Sequence, residues 1–193
     1  MGVPEGVYLA QASPEGLAHF EATVSRLEAA GYVVKRVGVM PDFEAVRERH
    51  NLIVAAEAAR VHADWFARYA DLYHPKTAEL IRRGQQVTDE MLARAINGRL
   101  QLRQTLTDVM NTHGIDLWIS PAAPGPAPRG LDSTGDPVMN LPWTHSGLPT
   151  LTIPSGFNGA GLPLGLQLTG RWYGDELMVS WGVEIEQIVA PKG

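Results

Sequence analysis

The sequence predicts an α/β fold, and three observations carry that reading. Short apolar runs at residues 117–119, 150–153 and 164–168 are bounded by Gly, Pro or charge, as buried strands are. Longer stretches between and around them repeat apolar residues every three or four positions, the period of an amphipathic helix. The first forty residues run strand–helix–strand, which predicts a βαβ unit with a right-handed parallel crossover if both strands share a sheet.

Taken in order, residues 2–9 read as a short strand weakened by Pro4 and Gly6. Ser13-Pro14 starts a helix, with Ser13 as N-cap and Pro14 in the first helical position. Leu17, Phe20, Val24 and Leu27 form its apolar face, and Gly31 ends it. Residues 32–39 are rich in Val and read as the second strand. Pro41-Asp42 opens a longer helix over residues 43–69, whose alanines allow close packing, and Pro75 begins a shorter one that Gly84 stops. Thr88 caps the next helix, with Asp89 and Glu90 set against its dipole. That helix runs to about Thr112 with Met91, Ala95, Leu102, Leu106 and Val109 along one face, and Gly114 terminates it.

Residues 116–170 organise the chain. A strand at 117–119 leads into a Pro/Gly loop over 121–137, a Gly-Leu-Pro step enters the run at 147–154, and an Asn158-Gly159 turn precedes the strand at 164–169. The three apolar runs are expected to be buried on both faces, as central strands are. A last helix begins at Asp175, with Leu177, Trp181, Ile185 and Ile188 expected inward. No change in composition asks for a boundary, so residues 1–193 are expected to form a single domain.

At 193 residues the chain can bury a real core. A formal charge of −5 with no Lys/Arg cluster argues against a nucleic-acid or anionic-membrane partner. The absence of cysteine excludes disulfides, Cys-ligated zinc and a thiol nucleophile, and fits a reducing cytoplasm. No apolar run approaches the ~20 residues of a membrane span, and the first residues lack the basic and apolar regions of a signal peptide.

The residues that could carry chemistry do not assemble into a motif. There are seven serines and three lysines, but no Gly-x-Ser-x-Gly elbow and no Ser-x-x-Lys. A lysine base needs burial or a cationic neighbour to approach a neutral pKa, whereas Lys35, Lys76 and Lys192 read as solvated charges. The six histidines show no i, i+4 pair suited to a metal, so no metal site and no cofactor are expected. GFNGAGLPLG matches no phosphate-loop pattern.

DLWISPAAPGPAP, MNLPWTHSGLPTLTIPSG and GLPLGLQLTGRWYGDELMVSWGVEIEQ resemble consecutive C-terminal segments of the amidase signature family, over residues 2–189 and in family order. The resemblance implies a mixed β-sheet covered by helices and hydrolysis of amide C–N bonds by a Ser–cis-Ser–Lys triad. In the family that triad lies in the N-terminal part, so no catalytic residue is carried over. It also implies that the loop before the Gly-x-Pro step and the aromatic segment after the last strand line the acyl side of the pocket. The matching positions are Val138, Met139, Leu141, Trp143 and His145, then Trp172 and Tyr173. The equal alternative is that these aromatics only pack beneath the Pro-rich loop. The expectation is therefore the C-terminal portion of an amidase, inactive alone and paired with a complementary N-terminal half or with itself. A non-catalytic α/β module that binds a small ligand or a protein is the other reading.

Overall fold

β1 (Gly2–Glu5), α1 (Pro14–Ala29) and β2 (Lys35–Gly38) form the expected strand–helix–strand, the strands parallel with Gly2 opposite Lys35. Both strands are shorter than residues 2–9 and 32–39, since the chain turns at Gly6, whose φ is +102°, and enters a 3₁₀ turn at Leu9–Gln11. Ser13 Oγ accepts from Gly16 N at 3.1 Å, so the Ser-Pro signal is a real cap. The structure, a computed structural model, describes residues 1–191, and Lys192 lies outside them. Its contacts divide the chain into two compact units, Met1–Phe43 with Arg103–Gly193, and Glu44–Leu102.

The second unit is helical: α2 (Phe43–Val61, from Glu44), α3 (Ala63–Tyr69), α4 (Pro75–Gly84) and the start of α5 (Asp89–His113). The single helix expected over 43–69 is broken at His62, whose backbone leaves the helical region (φ −95°, ψ 5°). The break turns Phe66 inward onto Ala59, Ala78 and Ile81, and His62 Nδ1 pairs with the Tyr73 hydroxyl at 2.9 Å. Thr88 caps α5 through Met91 N, as its sequence indicates. The buried stripe of α5 is Leu92, Ala95, Leu102, Leu106 and Met110, with Met91 exposed and Val109 half-buried.

The first unit holds the sheet. β3 (Trp118–Pro121), β4 (Thr150–Phe157) and β5 (Pro163–Thr169) join the first two strands in the order β2-β1-β3-β5-β4. β1 pairs with β2 and β3 in parallel, while β3–β5 and β5–β4 are antiparallel, so the sheet is mixed. Ile119, Ile153, Leu166 and Leu168 form a core with Phe20, Val24 and Leu27 of α1 and with Met178, Ile185 and Val189 of α7 (Asp175–Val189).

Two expectations are corrected here. β3 is buried throughout, but β4 is an edge strand that alternates: Ile153 and Ser155 are buried while Thr150, Thr152 and Pro154 are exposed. An edge strand with one covered face needs only alternate apolar residues. On α7 the inward residues are Met178, Gly182, Ile185 and Val189, and Leu177 is 53% exposed. Trp181 and Ile188 pack on the margin of the core. On α5 Ala95, Leu102 and Leu106 are buried as expected and only the end positions move on by one, Met91 to Leu92 and Val109 to Met110; on α7 Ile185 is buried as expected and the other three positions move on by one. Helical side chains lean toward the N-terminus, so a surface spot is covered by the residue one step later. None of the described helices is long and apolar enough to cross a membrane.

The phase of α7 is directly measurable. Met178→Ala is expected to cost about 2–5 kcal/mol in urea unfolding, and Leu177→Ala less than about 1 kcal/mol. Equal costs would contradict the burial pattern.

Candidate functional site

The register of β3 and β5 sets Ser120 opposite Gln167, and both are buried polar residues in otherwise apolar strands. Buried polar groups must be hydrogen-bonded, and these two bond to each other. Gln167 Nε2 donates to Ser120 Oγ and to the Met139 carbonyl, each at 3.1 Å. Tyr8, between β1 and its 3₁₀ turn, donates its hydroxyl proton to that carbonyl at 2.8 Å. Ser120 Oγ lies 3.0 Å from the same hydroxyl, which also accepts from Trp143 Nε1 at 2.9 Å. Burial pushes the Tyr8 pKa up, against the opposing effect of its bonds to Ser120, Trp143 and Gln167, so the phenol remains a donor. The Tyr8 ring also packs edge-on against Trp143 and Phe43.

Met139 ends a 3₁₀ turn, Pro137–Met139, which runs into α6 (Leu141–Ser146). The sequence reading takes this segment for part of a loop. Asp136 caps it, its Oδ1 accepting from Val138 N at 3.0 Å, with Pro137 in the first turn. Gly147, at φ +71°, closes α6 in the left-handed conformation that favours glycine.

The Pro-rich loop is tied down at both ends. Ala122 N donates to Gly165 O at 3.1 Å, and Asn140 Nδ2 donates to Ala122 O at 3.3 Å. Ser13 N donates to Pro124 O at 2.7 Å, and Gly16 lets α1 approach so closely that a Cβ would lie 2.2 Å from that oxygen. The loop encloses an open groove of about 700 Å³ lined by residues 123–128 and 133–137 with Pro163. Its polar groups are carbonyls, the Ser133 and Thr134 hydroxyls and the Asp136 carboxylate, set among prolines. That lining offers mostly acceptors on an apolar surface, which suits a neutral ligand bearing N–H donors.

The residues singled out from the sequence fall into two groups. Val138, Met139, Leu141, Trp143 and His145 lie together on the 3₁₀ turn and α6, all buried, Met139 and Trp143 completely. Tyr173 is 84% exposed, with its ring 4.7 Å from that of Trp172 and its backbone at φ +58°. Arg103 connects the groups: its guanidinium lies 3.4 Å from the Trp172 ring centre, and its Nε donates to Ser146 O at 2.7 Å. Tyr8, Ser120 and Gln167 are missing from the sequence reading. A glutamine inside a buried strand is the signal that could have found them.

One serine does meet a base. Ser155 Oγ is 2.9 Å from His19 Nε2 and donates to Leu164 O at 3.2 Å. Burial and the nearby Arg26 lower the His19 pKa, so the imidazole is neutral at pH 7. Ser155 is buried, however, and the adjoining cavity of about 50 Å³ has room for little more than a water. The pair is placed to join α1 to β4 and not to receive a substrate. Lys35 donates to His113 O at the end of α5, and Lys76 is exposed. No cluster of three His, Cys, Asp or Glu side chains occurs among the described residues.

A sequence model of the family described as Amidase matches residues 1–179. The chain belongs to the amidase family. It is 29% identical over 144 residues to the putative amidase AmiD of Mycobacterium tuberculosis, covering 69% of this chain and 30% of AmiD. It is 34% identical over 83 residues to one subunit of the glutamyl-tRNA(Gln) amidotransferase of Gluconobacter oxydans, covering 39% of this chain and 17% of that polypeptide. The crystal structure of an amidase superposes on 98% of this chain and 45% of its own, with a TM-score of 0.88 at 26% identity. The chain therefore spans less than half the length of these amidase-family proteins.

Two outcomes are expected from this geometry. Tyr8→Phe removes a donor to the Met139 carbonyl and the acceptor of Trp143 Nε1, at a cost of about 1–3 kcal/mol in urea unfolding. His19 is neutral when folded, whereas the unfolded chain takes up its proton near the ordinary pKa of 6.5. Its contribution is therefore complete above pH 6.5 and is lost as pH falls toward the lowered folded pKa. His19→Gln should flatten the decline in melting temperature between about pH 7.5 and 5.5. A decline of unchanged slope would remove His19 from the account.

Proposed function

We propose that this chain is the C-terminal portion of an amidase, an enzyme hydrolysing amide C–N bonds, and that it furnishes scaffold and one wall of the acyl pocket. The observation that carries this reading is the groove beneath the Pro-rich loop, whose lining residues Asp136 and Pro137 cap and begin the 3₁₀ turn that Tyr8 and Gln167 hold by the Met139 carbonyl. The segment bearing Met139, Leu141, Trp143 and His145 follows Pro137 in the chain but is buried, and neither it nor the exposed Tyr173 lines the groove of this chain; their place in the acyl wall is proposed for the chain joined to its complementary half. Covalent amide hydrolysis needs an accessible nucleophile beside a base, and the one serine–histidine pair described above is closed to substrate. The nucleophile and base then come from a complementary N-terminal amidase half, and the assembly works in the cytoplasm.

The test is incubation of the purified chain with a fluorophosphonate serine probe and a panel of aryl and aliphatic amides. The expected result is no stoichiometric labelling and no turnover. Activity is expected only after mixing with a separately expressed polypeptide carrying a Ser–cis-Ser–Lys region. Turnover by this chain alone would overturn the proposal.

A further inference from the structure

The helical unit leaves one apolar stripe in the open. Trp65 and Tyr69 lie one turn apart on α3, Val61 ends α2 just before the break at His62, and Leu72 lies in the 3₁₀ turn that follows α3. All four are exposed, Leu72 by 83%. Together they present on the order of 400–500 Å² of side-chain surface, in the upper range of what a monomeric soluble protein leaves uncovered. Two exposed charges of opposite sign, Asp64 and Arg68, stand on the same helix. Neither appears in an ion pair among the described residues, in contrast with Arg60–Asp89 and Arg94–Glu90 nearby.

We propose that this stripe is the contact of a homodimer in which α3 packs antiparallel on its copy. The stripe complements itself. A two-fold axis through the middle of α3 sets Trp65 against the partner's Tyr69 and Val61 against the partner's Leu72. The same axis brings Asp64 within reach of the partner's Arg68, and it does so twice. An anionic membrane fits less well, because Asp64 and Asp71 interrupt the stripe with negative charge. Two copies would bury roughly 1,000 Å², the lower bound of a specific interface, so the dimer is a weak one. This inference is independent of the amidase reading and of any association through the sheet, since every residue it uses lies in the helical unit.

Sedimentation velocity over a concentration series tests it with Asp64→Arg and Arg68→Asp. Because each pair occurs twice across the axis, each variant alone should dimerise about 5- to 10-fold more weakly than the parent chain. A one-to-one mixture of the two variants should recover the parent affinity, as the mixed dimer again opposes Arg to Asp at both contacts. Leu72→Asp should be monomeric in the same range. Both charge changes are at exposed positions, and circular dichroism checks that the helices persist. Variants that dimerise like the parent, or a mixture no tighter than its components, would overturn the interface. So would a parent chain that stays monomeric and instead sediments with phosphatidylglycerol vesicles, or remains a monomer at every concentration.

Discussion

The carbonyl oxygen of Met139 is the point on which the sheet unit turns. It accepts from Tyr8 and from Gln167, and through them it is held to the segment after β1, to β3 and to β5. Nothing in that network is charged, so no ion pays a desolvation penalty for being buried. Each donor is used: the phenol proton, both protons of the Gln167 amide, and the indole N–H of Trp143. A fully satisfied buried network favours one arrangement of the chain over near alternatives, because any slip leaves a donor or acceptor unpaired in a low-dielectric interior. That is how a short helix with little propensity of its own keeps its place at the foot of a long, proline-rich loop.

From this anchor the groove follows in two steps. Fixing Met139 fixes Asn140, whose amide reaches back to Ala122 O at the start of the loop. The other restraint comes from α1, where Gly16 lets Pro124 O sit against the first turn. Between these ties residues 129–135 are exposed and have few bonds of their own. The loop is thus rigid where it meets the sheet and unconstrained at its tip, the distribution expected of a binding loop on a scaffold.

Much of the scaffold was legible in the sequence, and the reasons differ element by element. Ser13-Pro14 and Thr88 each carry a capping mechanism that acts locally, and both caps form as their sequences indicate. The middle of the inward face of α5 and Ile185 of α7 were read correctly, while other positions of those faces were read one residue early, since spacing gives the period of a helix but not the lean of its side chains. The burial of β4 could not be read from Thr150–Ile153, because being an edge strand is a property of sheet order and not of the strand. α6 was missed although Asp136-Pro137 repeats the chemistry of Ser13-Pro14; the helix itself has only six residues before Gly147, too few to show a period. Met139 to His145 were singled out through family resemblance, whereas Tyr8, which holds the Met139 carbonyl, was not. Its partners lie more than a hundred residues away, and only the fold brings them together.

If the Met139 carbonyl is the anchor, loosening it must free the segment it holds before anything else. Hydrogen–deuterium exchange on the chain with Gln167 replaced by Met, a substitution of similar volume, measures this. Faster exchange confined to residues 137–147 and the adjoining loop, with α1 and α7 as protected as before, is the result the account predicts. Unchanged exchange in residues 137–147, or a uniform loss of protection across the sheet unit, would contradict it.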